Sequence, residues 1–435
     1  MPSLTPLHET YCKFDRSPPS QADFLEGLSQ LATSSVSGVA EVVQNIHQEI
    51  FSQVFSLTPK QASFIWNNGL TKRVYGLTQN IMKQYGKGLA ISLRGLNRYF
   101  PVLHEKPLTP LMHFIANALN GVLGDHMLKT HNPLALPMVL YDRYGELHQG
   151  ELTGRVVILA HGLCMNHLSW APGESSGLGE HILYHQRRTT VLYLNYNTGR
   201  HISSNGRSLS TLLEELIKKN PRITAIDLIG HSMGGLVSRS ALFYGKQNAC
   251  EWVNYTENLV CIGSPHHGAV LERLGFMVQE KVGQVPFANI LAQLANMRSA
   301  GIIDLRHGSV RDDDWEHLKA RIGQMDDCRK PAPLPSQVKT FLIAGTLERE
   351  SSSSKTLEAL GDYLVSVKSA LGEHPHPQFK LKVPEEHKAV FYGLNHFEIQ
   401  YHPKVREQII RWLYPNAKEQ MAAQTADQRI ETMVE

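Results

Sequence analysis

Cysteine is scarce in this chain: five in 435 residues, an odd number with no CxxC pair. Cys12, Cys164, Cys250, Cys261 and Cys328 are too scattered to suggest a disulfide framework or a structural zinc site. Long apolar runs are missing too. No stretch approaches the roughly 20 uncharged apolar residues of a membrane-spanning helix, and the N-terminal segment lacks the unbroken apolar core of a signal peptide. Charge of one sign is not in excess, the formal net charge being +3, so nothing points to a nucleic-acid partner. Internal repeats are absent, and Ser351–Ser354 is the one low-complexity run. These absences predict a cytoplasmic protein, with peripheral membrane association or signal-less export left open.

What is present changes character along the chain. Residues 1–20 are Pro- and Ser-rich and read as a loose N-terminus, and residues 21–136 read as a helical extension with no convincing strand. Between residues 60 and 100, Leu70, Val74, Leu77, Ile81, Tyr85 and Leu89 recur at helical spacing. Lys72, Arg73, Lys83, Lys87, Arg94 and Arg98 fall on the other side, and no acidic residue lies between Glu49 and Glu105. Such a face either packs its apolar stripe on a core or makes peripheral contact with an anionic membrane surface. From 137 to 414, short β-branched runs alternate with helical segments. The runs are 138–142, 155–161, 190–196, 223–230, 258–263, 338–345 and 388–393, with helices expected at Ser203–Lys219, Met233–Gln247 and Pro403–Leu413. Runs apolar throughout are buried on both faces, which calls for an α/β architecture with a mostly parallel sheet covered by helices. Residues 415–435 read as a polar tail.

The sharpest motif is Gly230-His231-Ser232-Met233-Gly234, a G-x-S-x-G placed after a strand and before a helix. A nucleophile on so tight a turn needs small residues two before and two after it, and the following helix aims its N-terminus at developing negative charge. A serine hydroxyl also needs a base within hydrogen-bond reach and an acid to orient that base.

DLIGHSMGGLVSR resembles the nucleophile elbow of α/β-hydrolases, most closely that of bacterial triacylglycerol lipases and esterases. VVILAHGL, GSPHHGA, GDYLVSVKSALG and YGLNHFEI resemble further segments of the same group, in order, over about 138–413. The resemblance implies an α/β-hydrolase fold and a Ser232–Asp362–His396 triad. It also implies an oxyanion hole from the backbone amides of Leu163 and Met233. Tyr363 stands where that group usually has Gly, adding bulk beside the acid, and Glu348 after its strand is the alternative acid. An insertion over about 269–335 would cap the site, with Leu271, Phe276, Phe287 and Leu291 lining an acyl pocket; plain helical core is the competing reading. Its later part, RDDDWEHLKAR, reads as a charged surface segment.

Cys164 reads as lining or packing rather than as a second nucleophile. His266 and His267 are adjacent, point apart and have no third ligand at helical spacing, so they do not read as a zinc site. The calcium that the lipases often hold is not carried over, because Glu398 stands where an Asp is usual. No cofactor or metal is expected. The expected activity is carboxyl-ester hydrolysis on an apolar or lipid-like small-molecule substrate. An acyltransferase or thioesterase using the same residues, or a non-catalytic membrane-associated scaffold, are the alternatives.

Overall fold

The computed structural model describes residues 17–32, 106–186, 188–270, 299–316, 329–348 and 361–415. The basic stretch 60–100, the parts of the insertion at 271–298 and 317–328, and the tail from 416 lie outside the described residues. The described residues fall into two units, one of residues 17–32, 106–137 and 299, the other of the remainder.

The smaller unit is built on α1 (Gln21–Ala32) and α2 (Pro110–Lys129). Thr109 caps α2 by accepting the Met112 N–H, and Pro110 takes the first helical position, where its missing N–H costs nothing. Two buried asparagines tie the helices to the segment that follows. Asn120 donates to the carbonyls of Ala116 and Leu134 and accepts from the Leu136 N–H, while Asn132 donates to the Gly27 carbonyl. Each buried amide thus finds partners, as burial demands.

The larger unit contains, in chain order, β1 (Val139–Tyr141), β2 (Gly154–Ala160), α3 (Leu178–His185), β3 (Thr189–Asn195), α4 (Ile202–Lys219), β4 (Ile223–His231), α5 (Met233–Gln247), α6 (Trp252–Tyr255) and β5 (Thr256–Ile262). It continues through α7 (Ala300–His307), α8 (Asp312–Glu316), β6 (Lys339–Thr346), α9 (Val367–Ala370), β7 (Lys388–Tyr392), α10 (Glu398–Tyr401) and α11 (Pro403–Leu413). The strands form one sheet in the order β1-β3-β2-β4-β5-β6-β7, antiparallel only at β1. Side chains alternate across each strand. Val156, Ile158, Leu228 and Leu259 therefore enter one core with α4 and α5, while Val157, Leu159, Ile229 and Val260 enter the other with α3 and α11. Burial on both faces is why the runs read as apolar throughout.

The segment read as a charged surface is not one at its start. Asp314 is buried; its carboxylate accepts the N–H groups of Val310, Arg311 and Lys330. An acid wrapped by three backbone donors folds a charged stretch inward, which composition alone does not reveal.

Helices α4 and α5 meet at Gly206, where a Cβ would come within 2.2 Å of Ser240 Oγ and 2.9 Å of the Ala241 nitrogen. Replacing Gly206 with Val pushes these helices apart, at a cost of about 1–3 kcal/mol. A urea midpoint equal to wild type would refute that close approach.

Candidate active site

The site is assembled at the carboxyl ends of the strands. Ser232 follows β4 with φ 54° and ψ −120°, a conformation rare for a residue with a side chain. The flanking glycines make it possible. A Cβ on Gly230 would lie 2.2 Å from the Gly235 nitrogen, and one on Gly234 would lie 2.2 Å from the Ala160 carbonyl oxygen. The Ser232 N–H donates to the Ile262 carbonyl at 2.8 Å, fixing the turn to the end of β5. From the β2 side, Gly162 approaches so closely that a Cβ there would sit 3.1 Å from the Ser232 Cβ.

Asp362 and His396 come together from loops after β6 and β7. His396 Nδ1 lies 2.7 Å from Asp362 Oδ2. A carboxylate only accepts, so Nδ1 carries a proton, and it is the neutral ring in this tautomer that has its lone pair on Nε2. The other carboxylate oxygen accepts the N–H groups of Leu364 and Val365, and the His396 N–H donates to the Asp362 carbonyl. Both residues are nearly fully buried. Gly263, at φ 57°, leaves space beside them: a Cβ there would meet Asp362 Oδ2 at 3.3 Å and the His396 ring at 3.5 Å. Glu348 is also buried, but its Oε1 has no hydrogen-bond partner among the described residues, and the His396 ring bonds Asp362 instead.

The G-x-S-x-G pattern places no requirement on position 231. The structure gives it a task. Its Nε2 lies 2.9 Å from the His396 carbonyl oxygen, which can only accept, so the Nε2–H donates. The two rings are 4.9 Å apart. The residue before the serine thus holds the backbone of the loop that delivers His396. No local pattern could have shown this, because the partners are 165 residues apart.

Met233 begins α5 and Leu163 follows the His161-Gly162 turn. Among the described residues neither N–H donates a hydrogen bond. The Cys164 thiol is pushed up to about 12 by burial, so it holds little thiolate near neutral pH. Leu271, Phe276, Phe287 and Leu291 lie outside the described residues. No group of three or more His, Cys, Asp or Glu side chains suited to a metal ion occurs among the described residues. None of the described helices is long and apolar enough to cross a membrane.

The parallel sheet, its order, and the strand–turn–helix at Ser232 are those of an α/β-hydrolase. Residues 151–374, over half the chain, match the PGAP1-like alpha/beta domain, and the chain belongs to that family. No curated protein matches it. Among solved structures, it is similar to the mature lipase BlEst2 of Bacillus licheniformis, at 16% identity and TM-score 0.38, covering 63% of this chain and 97% of that one. It is also similar to an esterase of Thermogutta terrifontis at 15% identity and TM-score 0.33, covering 63% and 92% of the two chains. The carboxylesterase CesB of Bacillus subtilis matches at 11% identity and TM-score 0.34, covering 61% and 86%.

Two expected outcomes follow from the local geometry. Tyr363 has φ 88°, which explains why a glycine would suit this position. Tyr363→Gly should therefore exceed Tyr363→Ala in stability by about 1 kcal/mol, reversing the order expected of ordinary backbone. Equal urea midpoints for the two variants would remove the strain argument. The second concerns acid. Burial lowers His161 to about 4 and His231 to about 3, from 6.5. As pH falls from 6.5 towards 4 the unfolded chain takes up protons that these folded imidazoles refuse, so stability falls with pH in that window. A melting temperature constant across that window would contradict it.

Proposed function

We propose that this protein is a serine-dependent carboxyl-ester hydrolase. The observation that carries the reading is the buried 2.7 Å contact of His396 Nδ1 with Asp362, delivered to the same end of the sheet as the strained Ser232 turn. In the reaction, Ser232 Oγ attacks the acyl carbon while His396 Nε2 takes its proton. Asp362 holds the ring and offsets the positive charge it acquires. The Leu163 and Met233 amides, otherwise unused as donors among the described residues, receive the oxygen as it becomes negative. His396 then protonates the departing alcohol, and water, deprotonated by the same imidazole, releases the acid from the acyl-enzyme.

The apolar composition of the sequence between Leu271 and Met297 favours an apolar acyl group. Hydrolysis of p-nitrophenyl esters should rise as the acyl chain lengthens from acetyl, and a maximum at acetyl would overturn that part. A fluorophosphonate should label wild type and not Ser232→Ala. Asp362→Asn should lower kcat by about 10⁴-fold by favouring the wrong tautomer of His396. Labelling of Ser232→Ala at an unchanged level would sink the mechanism.

A further inference from the structure

A concavity in the larger unit has none of Ser232, Asp362 and His396 in its lining. It is a cavity of about 480 Å³ to which α5, the loop after β5 and the segments 329–334 and 377–382 all contribute. Its polar lining is mostly cationic or imidazole: Arg239, His266, Arg329, Lys330, Lys380 and Lys382, with His267 beside them.

Two of these groups are buried without the partners that burial requires. Arg239 is 7% exposed; its Nη2 donates to the Ala332 carbonyl at 3.0 Å, but its Nε has no partner among the described residues. His266 is 1% exposed and neither ring nitrogen has a partner among the described residues. A buried guanidinium with an N–H left unsatisfied is costly. The acid lining the cavity, Asp314, has both oxygens occupied by backbone N–H groups. Lys330 and Lys380, half-exposed at the rim, pair with Asp313 at 3.6 Å and Glu373 at 2.7 Å. The cost shows in the titration of the groups themselves: burial first, then Arg329, lowers the Arg239 guanidinium to about 10, and burial and Arg239 hold His266 well below its usual value.

We propose that this cavity is a binding site for a phosphate group borne by a small organic ligand. Groups with N–H donors converge from four chain segments, and a tetrahedral phosphate, with more oxygens and more charge than a carboxylate, can meet them from several directions at once. The cavity is larger than phosphate alone requires, and Leu334, Pro377, Phe379 and Leu381 give it an apolar wall for the organic part. A divalent metal does not fit a lining of guanidinium and ammonium groups. The site is independent of ester hydrolysis, so its test needs no catalytic readout.

The experiment is calorimetric titration of the full chain with inorganic phosphate and with sn-glycerol 3-phosphate. Co-sedimentation with phosphatidylcholine vesicles, with and without phosphatidic acid, runs alongside. Saturable binding of glycerol 3-phosphate, tighter than that of inorganic phosphate, is expected. Arg239→Met should weaken it by about tenfold or more. Should that variant fail to fold, the double variant Lys330→Gln/Lys382→Gln at the rim should still weaken binding several-fold while melting like wild type. Vesicle binding that needs phosphatidic acid and is lost in the same variants assigns the phosphate to a lipid headgroup. Binding of the free ester alone assigns it to a soluble metabolite. No saturable binding of either soluble ligand, or equal binding by wild type and the variants, overturns the proposal.

Discussion

The backbone turn at Ser232 is the constraint on which the site depends. A residue with a side chain held at φ 54° and ψ −120° stores roughly 1–3 kcal/mol of strain, and persists only where its surroundings over-determine it. Those surroundings are the middle strand of a seven-stranded sheet and a helix whose first ten residues are all buried. The same turn aims His231 across to the His396 carbonyl. From there the chain of contacts runs through the His396 ring to Asp362 and on to the N–H groups of Leu364 and Val365. A relaxed elbow would therefore displace more than a hydroxyl: it would also release the loop that carries the imidazole.

Strands and helices in the larger unit were legible because burial on both faces leaves a local signature. All seven β-branched runs became strands, and Met233–Gln247 and Pro403–Leu413 became helices with those bounds. The elbow was legible for a steric reason, since the spacing of Gly230 and Gly234 records a contact between backbones. Features set by distant partners were not. Asp314 sits in a stretch whose composition reads as solvated, yet it is buried by three backbone donors. Tyr363 could be seen as added bulk, but its left-handed backbone could not be read from its identity. His266 and His267 drew notice only as an unconvincing metal pair. Their environment of arginine and lysine emerges when α5, 329–330 and 380–382 are brought together.

Belonging to a fold family does not decide chemistry; the site does. Three histidines, His161, His231 and His396, lie at the same end of the sheet as the proposed nucleophile, and their environments separate their capacities. His161 and His231 are fully buried without a carboxylate partner, and desolvation holds both well below the usual imidazole value. His231 has already committed its N–H to a carbonyl. A base that must carry a proton through a tetrahedral step needs a neighbour that tolerates the resulting cation. Among the three, only the His396 ring is hydrogen-bonded to a carboxylate. That difference assigns the proton transfer in the proposed reaction to His396 and leaves His231 to hold its loop. It also explains why a histidine-rich site can contain a single base: burial keeps the other imidazoles neutral, so they act as fixed dipoles and do not compete for the serine's proton.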